Sequence, residues 1–226
     1  MRYKAILLDI DDTLYCYDSA HSAAMKSIIN FFANELKIDS VSVKSVFETS
    51  RNRVHIELGE TASSHNRLLY FQKMCEILEI NPLKYGMIIY NLYWDNYLEN
   101  INPFDGVYDL LKKYTNNICI VTDLTAHIQY RKIQKLKINN YCKTIITSEE
   151  AGRDKPHPFI FMLALQKLKK SANEVCMIGD SFKKDILGAN NLGINSIWFN
   201  HKKKHESYEC TAIKEVSTFS DILRFV

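Results

Sequence analysis

The apolar positions of this chain fall into three regimes. Residues 3–8 form a short apolar run ended by charge, the pattern of a strand buried on both faces. From about 19 to 99 the spacing is helical. SAAMKSIINFFANEL, SVKSVFETSRNRVHIEL, HNRLLYFQKMCEILEI and LKYGMIIYNLYWDNYLEN each carry apolar residues three and four apart, with breaks near Asp39, Thr61 and Pro82. About four helices and no strand are expected there. After NPFDG at 102–106, helical patterns over 107–115, 125–136, 157–169 and 182–192 alternate with the runs ICIVT (118–122), TIIT (144–147), VCMI (175–178) and SIWF (196–199). The tail STFSDILRFV reads as one last helix. Strands alternating with helices predict an α/β fold with a parallel sheet covered on both faces. The expected organisation is a discontinuous core, 1–15 with 100–226, and a helical insertion over 16–99 placed to close as a lid.

Composition narrows the function classes. The chain has 226 residues, enough to bury a substantial core, with hydrophobic and charged shares of 46% and 24% that are ordinary for a globular protein. A net charge of +3 is too weak a bias to argue for nucleic acid or a membrane surface as partner. The run HKKKH at 201–205 reads as a solvated loop. The cysteines, Cys16, Cys75, Cys119, Cys142, Cys176 and Cys210, form no C-x-x-C pair, so zinc-ribbon and thiol-redox readings have no support. Cys119 and Cys176 sit in apolar runs as small core residues. A reduced, cytoplasmic setting is expected, with no signal-peptide pattern and no apolar stretch near the length of a membrane span.

The charged residues gather after the strands. In parallel sheets ligands bind beyond the carboxyl ends of the strands. After the first strand come Asp9, Asp11, Asp12 and Thr13; after the second, Thr122 and Asp123; near the third, Lys155 in GRDKPHPF; after the fourth, Gly179, Asp180 and Asp185 in GDSFKKD. Crowded carboxylates repel unless a cation joins them or protons are taken up. A hard divalent ion with oxygen ligands, Mg²⁺ above all, suits such a site, usually with substrate phosphate as a further ligand. A lysine beside it adds charge for a phosphoryl group. One carboxylate can act as nucleophile, and a second, two residues on, can protonate a leaving oxygen and then activate water.

On these residues the chain resembles the haloacid dehalogenase superfamily, in the phosphatase branch with a helical cap inserted after the first motif. DIDDTLY matches D-x-D-x-T, ICIVTD the strand ending in Thr or Ser, GRDKPHPFIF the G-x-x-K-P-x-P motif, and MIGDSFKKDILGANNLGI the G-D-x-x-x-x-D motif with its following helix. The resemblance implies a Rossmann-like sheet of order 5-4-1-2-3 and a Mg²⁺-dependent phosphatase acting on a small phosphorylated metabolite. It implies Asp9 as nucleophile and metal ligand. It implies Asp11 as general acid/base, with its main-chain carbonyl on the metal. Thr122 and Lys155 become phosphate-binding groups, Asp180 the second metal carboxylate, and Asp185 a supporting group around the metal. Asp11 also favours a phosphatase over a dehalogenase, because an alkoxide leaving group needs a proton and a halide does not. Asp12 stands where many members have Gly, and Asp123 where Asn or Gly is commoner.

Two other function classes fit the same core: a phosphosugar mutase, which returns the phosphoryl group, and a degenerate member kept for binding or regulation. The stripe Tyr90, Tyr93, Trp94 and Tyr97 is expected to pack between cap helices. Arg51, Arg53 and His55 read as a solvated helix face, and His157 as a loop residue.

Overall fold

The computed structural model describes residues 2–207 and 212–226, so Cys210 lies outside the described residues. The chain divides into two compact units, Met1–Cys16 with Asn102–Val226, and Tyr17–Ile101.

The first unit is built on one parallel sheet. Its strands are β1 (Ala5–Leu8), β2 (Ile118–Thr122), β3 (Thr144–Thr147), β4 (Val175–Gly179), β5 (Asn195–Phe199) and β6 (Ile213–Val216), in the order β3-β2-β1-β4-β5-β6. This extends the expected five-strand order by one edge strand. β1, β2 and β4 are buried at every position, which is why each reads as an unbroken apolar run rather than an alternating one. Alternate residues serve opposite faces: Ala5 and Leu7 of β1 join Cys119 and Val121 of β2 against Ile160 and Phe161. Leu8 is level with Ile120 on β2 and Ile178 on β4, so Asp9 emerges between the carboxyl ends of both neighbours.

The second unit holds the helices α1 (Tyr17–Leu36), α2 (Ser40–Leu58), α3 (Arg67–Ile77) and α4 (Pro82–Glu99). The expected breaks have physical causes. Asp39 caps α2 by accepting from the amides of Val41 and Ser42, and Pro82 opens α4 at a position whose N–H is not needed. Tyr93, Trp94 and Tyr97 are fully buried among these helices, with Trp94 and Tyr97 rings 5.1 Å apart. His55 departs from the solvated reading: its Nε2 lies 2.9 Å from the Tyr70 hydroxyl, and its ring packs on His65 at 5.0 Å.

The remaining helices belong to the first unit: α5 (Val107–Lys113), α6 (Ala126–Lys135), α7 (Ser148–Ala151), α8 (Pro158–Leu168) and α9 (Gly188–Asn190). His157 is more than a loop residue, since its Nδ1 accepts from the Phe159 amide at the start of α8. The regular helix expected over 182–192 is instead a π-helical turn, Phe182–Leu187, running into α9. The tail forms a last helix as expected, of the 3₁₀ type, over Phe219–Arg224. No described helix is long and apolar enough to cross a membrane.

Candidate active site

β1 delivers Asp9, which is 4% exposed. Its Oδ1 meets Lys155 Nζ at 2.6 Å and its Oδ2 accepts from the Thr13 hydroxyl at 2.9 Å. The Thr13 oxygen in turn accepts from the Asp180 amide at 3.0 Å, which ties the ends of β1 and β4 together. Burial pushes the Asp9 carboxyl up to about 7; the Lys155 charge pulls the other way, while Asp185 and Asp11 add to the rise.

Lys155 is the hub. Its ammonium is buried against Asp9, Asp185 Oδ1 at 2.7 Å and the Val121 carbonyl at 3.0 Å. Burial opposes its charge, but Asp185, Asp9 and Asp123 outweigh that and hold its pKa well above the ordinary lysine value. The loop bearing it is fixed by Asp123, whose Oδ1 accepts from the Lys155 amide at 2.9 Å. The other oxygen of Asp123 meets Lys184 Nζ at 2.8 Å. The Asp123 charge is thus spent on two partners within the unit.

Asp185 sits in the π-helical turn, where its Oδ2 accepts from the Ser181 amide at 3.0 Å. Such turns re-aim side chains, and they recur at functional sites. Gly179 makes room for it: a Cβ there would collide with the Asp185 carboxylate. Asp180, one residue past β4, is pushed up to about 7 by burial, with Asp9 and Asp12 adding to the rise. Asp9, Asp180 and Asp185 each offer one oxygen, and the three lie within 4.8 Å of one another. An all-carboxylate oxygen donor set of this size fits a hard divalent cation such as Mg²⁺.

Asp11 faces the other way, toward α6. Lys132 Nζ contacts both its oxygens, at 2.6 and 2.8 Å, Gln129 Nε2 donates to Oδ2 at 2.9 Å, and the Tyr15 hydroxyl donates to Oδ1. Burial would raise its carboxyl, but the Lys132 charge and these hydrogen bonds win and hold it below the usual carboxylate range. Thr122 is buried at the end of β2; its hydroxyl accepts from Gln129 Nε2 at 2.8 Å and donates to the Asp123 carbonyl at 3.3 Å.

Sequence reasoning missed Gln129 and Lys132, which are 0% and 1% exposed. A signal existed: both lie within the apolar stripe of α6 with Ile128 and Ile133, and a lysine there has to meet a buried acid. It also undervalued 201–205. Lys202 pairs with Asp12 at 2.5 Å and Lys204 lies 3.5 Å from Asp180, because the loop after β5 returns to the carboxylates. Asp12 adopts φ 62°, a left-handed conformation that explains why Gly is common there and Asp tolerated.

The model for haloacid dehalogenase-like hydrolases matches residues 6–199. The ribulose-1,5-bisphosphate 5-phosphatase of Halopiger xanaduensis is 32% identical over 91% of this chain and 88% of its own length. The glyceraldehyde 3-phosphate phosphatase of Pyrococcus abyssi is 30% identical over 88% of this chain and 82% of its own. Among solved structures, the hydrolase YfnB of Bacillus subtilis, bound to magnesium, superposes with TM-score 0.74 at 22% identity over 100% of this chain and 99% of that one. The chain belongs to the haloacid dehalogenase-like hydrolases, in their phosphatase branch, and is a phosphoric monoester hydrolase.

Proposed function

We propose that this phosphatase is Mg²⁺-dependent and hydrolyses a small phosphorylated sugar through a phosphoryl-enzyme on Asp9. The observation that carries the reading is the pairing of one buried ammonium, Lys155, with both Asp9 and Asp185, in a cluster whose three carboxylates come within 4.8 Å. Asp9, Asp180 and the Asp11 carbonyl would hold the metal, with Asp185 supporting it. When bound, the ion supplies positive charge for the phosphoryl oxygens. The named substrates of the relatives, a pentulose bisphosphate and a triose phosphate, support a sugar phosphate as substrate class.

The chain's own groups then have distinct tasks. Lys155 holds Asp9 in place and balances the charge of the incoming phosphoryl. An Asp9 oxygen bonds to phosphorus as the ester P–O bond breaks, and the departing alkoxide takes a proton from Asp11. Water then attacks phosphorus, Asp11 accepts its proton, and the bond to Asp9 breaks to release phosphate. The second half starts from the Asp11 carboxylate that Lys132 holds in the structure; the first half requires Asp11 to leave Lys132 and arrive protonated. Thr122, through its hydroxyl, is a phosphoryl-binding group in this scheme once Gln129 yields it. The helical unit serves as a cap that admits substrate and excludes bulk water during turnover.

The test is release of inorganic phosphate from a panel of phosphorylated sugars, with and without Mg²⁺. Asp9→Asn should abolish turnover while keeping the far-UV circular dichroism of the parent. Wild-type rates in that variant would remove Asp9 as nucleophile, and phosphoryl return without net release would point to the mutase reading.

A further inference from the structure

The helical unit contains a buried cation with no anion. Arg67, at the start of α3, is 7% exposed. One guanidinium nitrogen donates to the Tyr17 hydroxyl at 2.9 Å, another to the His65 carbonyl at 3.2 Å, and its Nε has no hydrogen-bond partner. The group lies over the Tyr70 ring at 4.9 Å and the Tyr93 ring at 5.8 Å. No described carboxylate forms an ion pair with it. The buried lysines of the other unit differ: Lys132 has Asp11, and Lys155 has Asp9 and Asp185. Charges are rarely buried without a counter-charge, because desolvation is costly.

The neighbours of Arg67 include a histidine and three phenols. His21 hydrogen-bonds the Tyr93 hydroxyl at 2.8 Å, and burial together with the charges of Arg67 and Arg51 pushes its imidazole down to about 4. Near neutral pH the cluster therefore presents a guanidinium, a neutral imidazole and the phenol groups of Tyr17, Tyr70 and Tyr93. A guanidinium with an unpartnered Nε suits an oxyanion, which guanidinium groups bind through paired N–H donors. Tyr17 and His21 are the half-buried members of the cluster.

We infer that Arg67, with Tyr17 and His21, forms a binding site in the helical unit for an oxyanion, a phosphate or carboxylate group that supplies the missing counter-charge. The anion has two possible sources: a second anionic group on the substrate, or a free anion that regulates turnover. The first source rests on the phosphatase reading above; the second does not.

The experiment compares the full chain with Arg67→Met and Arg67→Lys. Ribulose 1,5-bisphosphate and ribulose 5-phosphate are the probes for the first source, and inorganic sulfate for the second. If the anion is carried by the substrate, Arg67→Met raises KM for the bisphosphate about tenfold or more. Under the same conditions kcat, and KM for the monophosphate, stay within about threefold, a factor of ten being the worth of one charge-assisted contact. Arg67→Lys then falls between the two. If the anion is free, both esters respond alike, and calorimetry shows one sulfate-binding event in the parent that Arg67→Met lacks. Should Arg67→Met not fold, Arg67→Lys carries the comparison. Unchanged KM for both esters and unchanged sulfate binding in a folded variant overturn the site. Absence of phosphate release from every ester in the parent would instead sink the phosphatase reading, with sulfate calorimetry still deciding on Arg67.

Discussion

Asp9 and Asp11, two residues apart, live in opposite electrostatic surroundings. Asp9 is pushed up to about 7 by burial despite Lys155, whereas Lys132 and its hydrogen-bonding partners hold Asp11 below its usual range. This split runs against the first half of the proposed reaction, which needs Asp9 ionised and Asp11 protonated; Asp9 needs added positive charge to ionise, and Asp11 has to leave Lys132 to take up its proton. Lys132 acts through Asp11, whose carboxylate it holds, so it is a positioning residue. Lys132→Met keeps the side-chain volume and removes the charge. We expect kcat to fall by about 10- to 100-fold, as for other groups that orient a reacting shell, with KM changed far less. Steady-state kinetics on a chain of unchanged melting temperature would check it, and an unchanged kcat would leave Lys132 a purely structural ion pair. The acids of this site were legible in the sequence because they follow strand ends. Their partners were not, since Lys132 and Gln129 come from a helix face, and only the packing of α6 on the core brings them to Asp11. The carboxylate of Asp123 is a similar case. It stands where Asn or Gly is commoner, and its contacts with Lys184 and the Lys155 amide, one to each oxygen, come from loop and helix packing that sequence does not display.

Elements were legible where one period dominates. The buried strands and the four long helices follow from apolar spacing, and their ends follow from Asp39 and Pro82. β6 was missed because it is a four-residue edge strand with Lys214 and Glu215 in its middle, too short and too polar to show a pattern. The π-helical turn was missed because its cause is not periodic: Asp185 must turn inward past Gly179. Close packing beside this turn gives a paired prediction. At Gly188 an added Cβ would lie 2.9 Å from the Phe161 ring and 3.0 Å from Pro156. Overpacking costs about 1–3 kcal/mol, more than the ~1 kcal/mol that alanine gains over glycine in a helix. Gly188→Ala should therefore destabilise the chain, and activity should fall too, because Pro156 adjoins Lys155. At Gly86 in α4 the nearest atom is 3.9 Å away, an ordinary contact. Gly86→Ala should stabilise by about 0.5–1 kcal/mol. Urea midpoints of both variants read the two signs in one experiment.

At the scale of the whole molecule, the carboxylate cluster costs stability until a cation joins it. Anything that binds the folded chain alone stabilises it, by about 2.7 kcal/mol at a hundred times the dissociation constant. For a chain of this size each kcal/mol is worth about 2–4 °C in melting temperature. Saturating Mg²⁺ should therefore raise the melting temperature by several degrees, and Asp180→Asn should lose most of that gain. Equal shifts in parent and variant, read by calorimetry, would place the ion elsewhere.

The chain leaves the sheet unit and returns to it at neighbouring points. Tyr15 bridges Pro103, and the Phe104 amide donates to the Leu14 carbonyl at 2.9 Å. The long excursion between them is therefore anchored like a hairpin, its two ends stitched together inside the unit that carries the acids. An insertion held this way can be lengthened, shortened or exchanged in the course of descent while β1, which carries Asp9, keeps its own pairing with β2 and β4. Under the cap role proposed above for the helical unit, the reaction and the choice of what undergoes it change on separate evolutionary clocks.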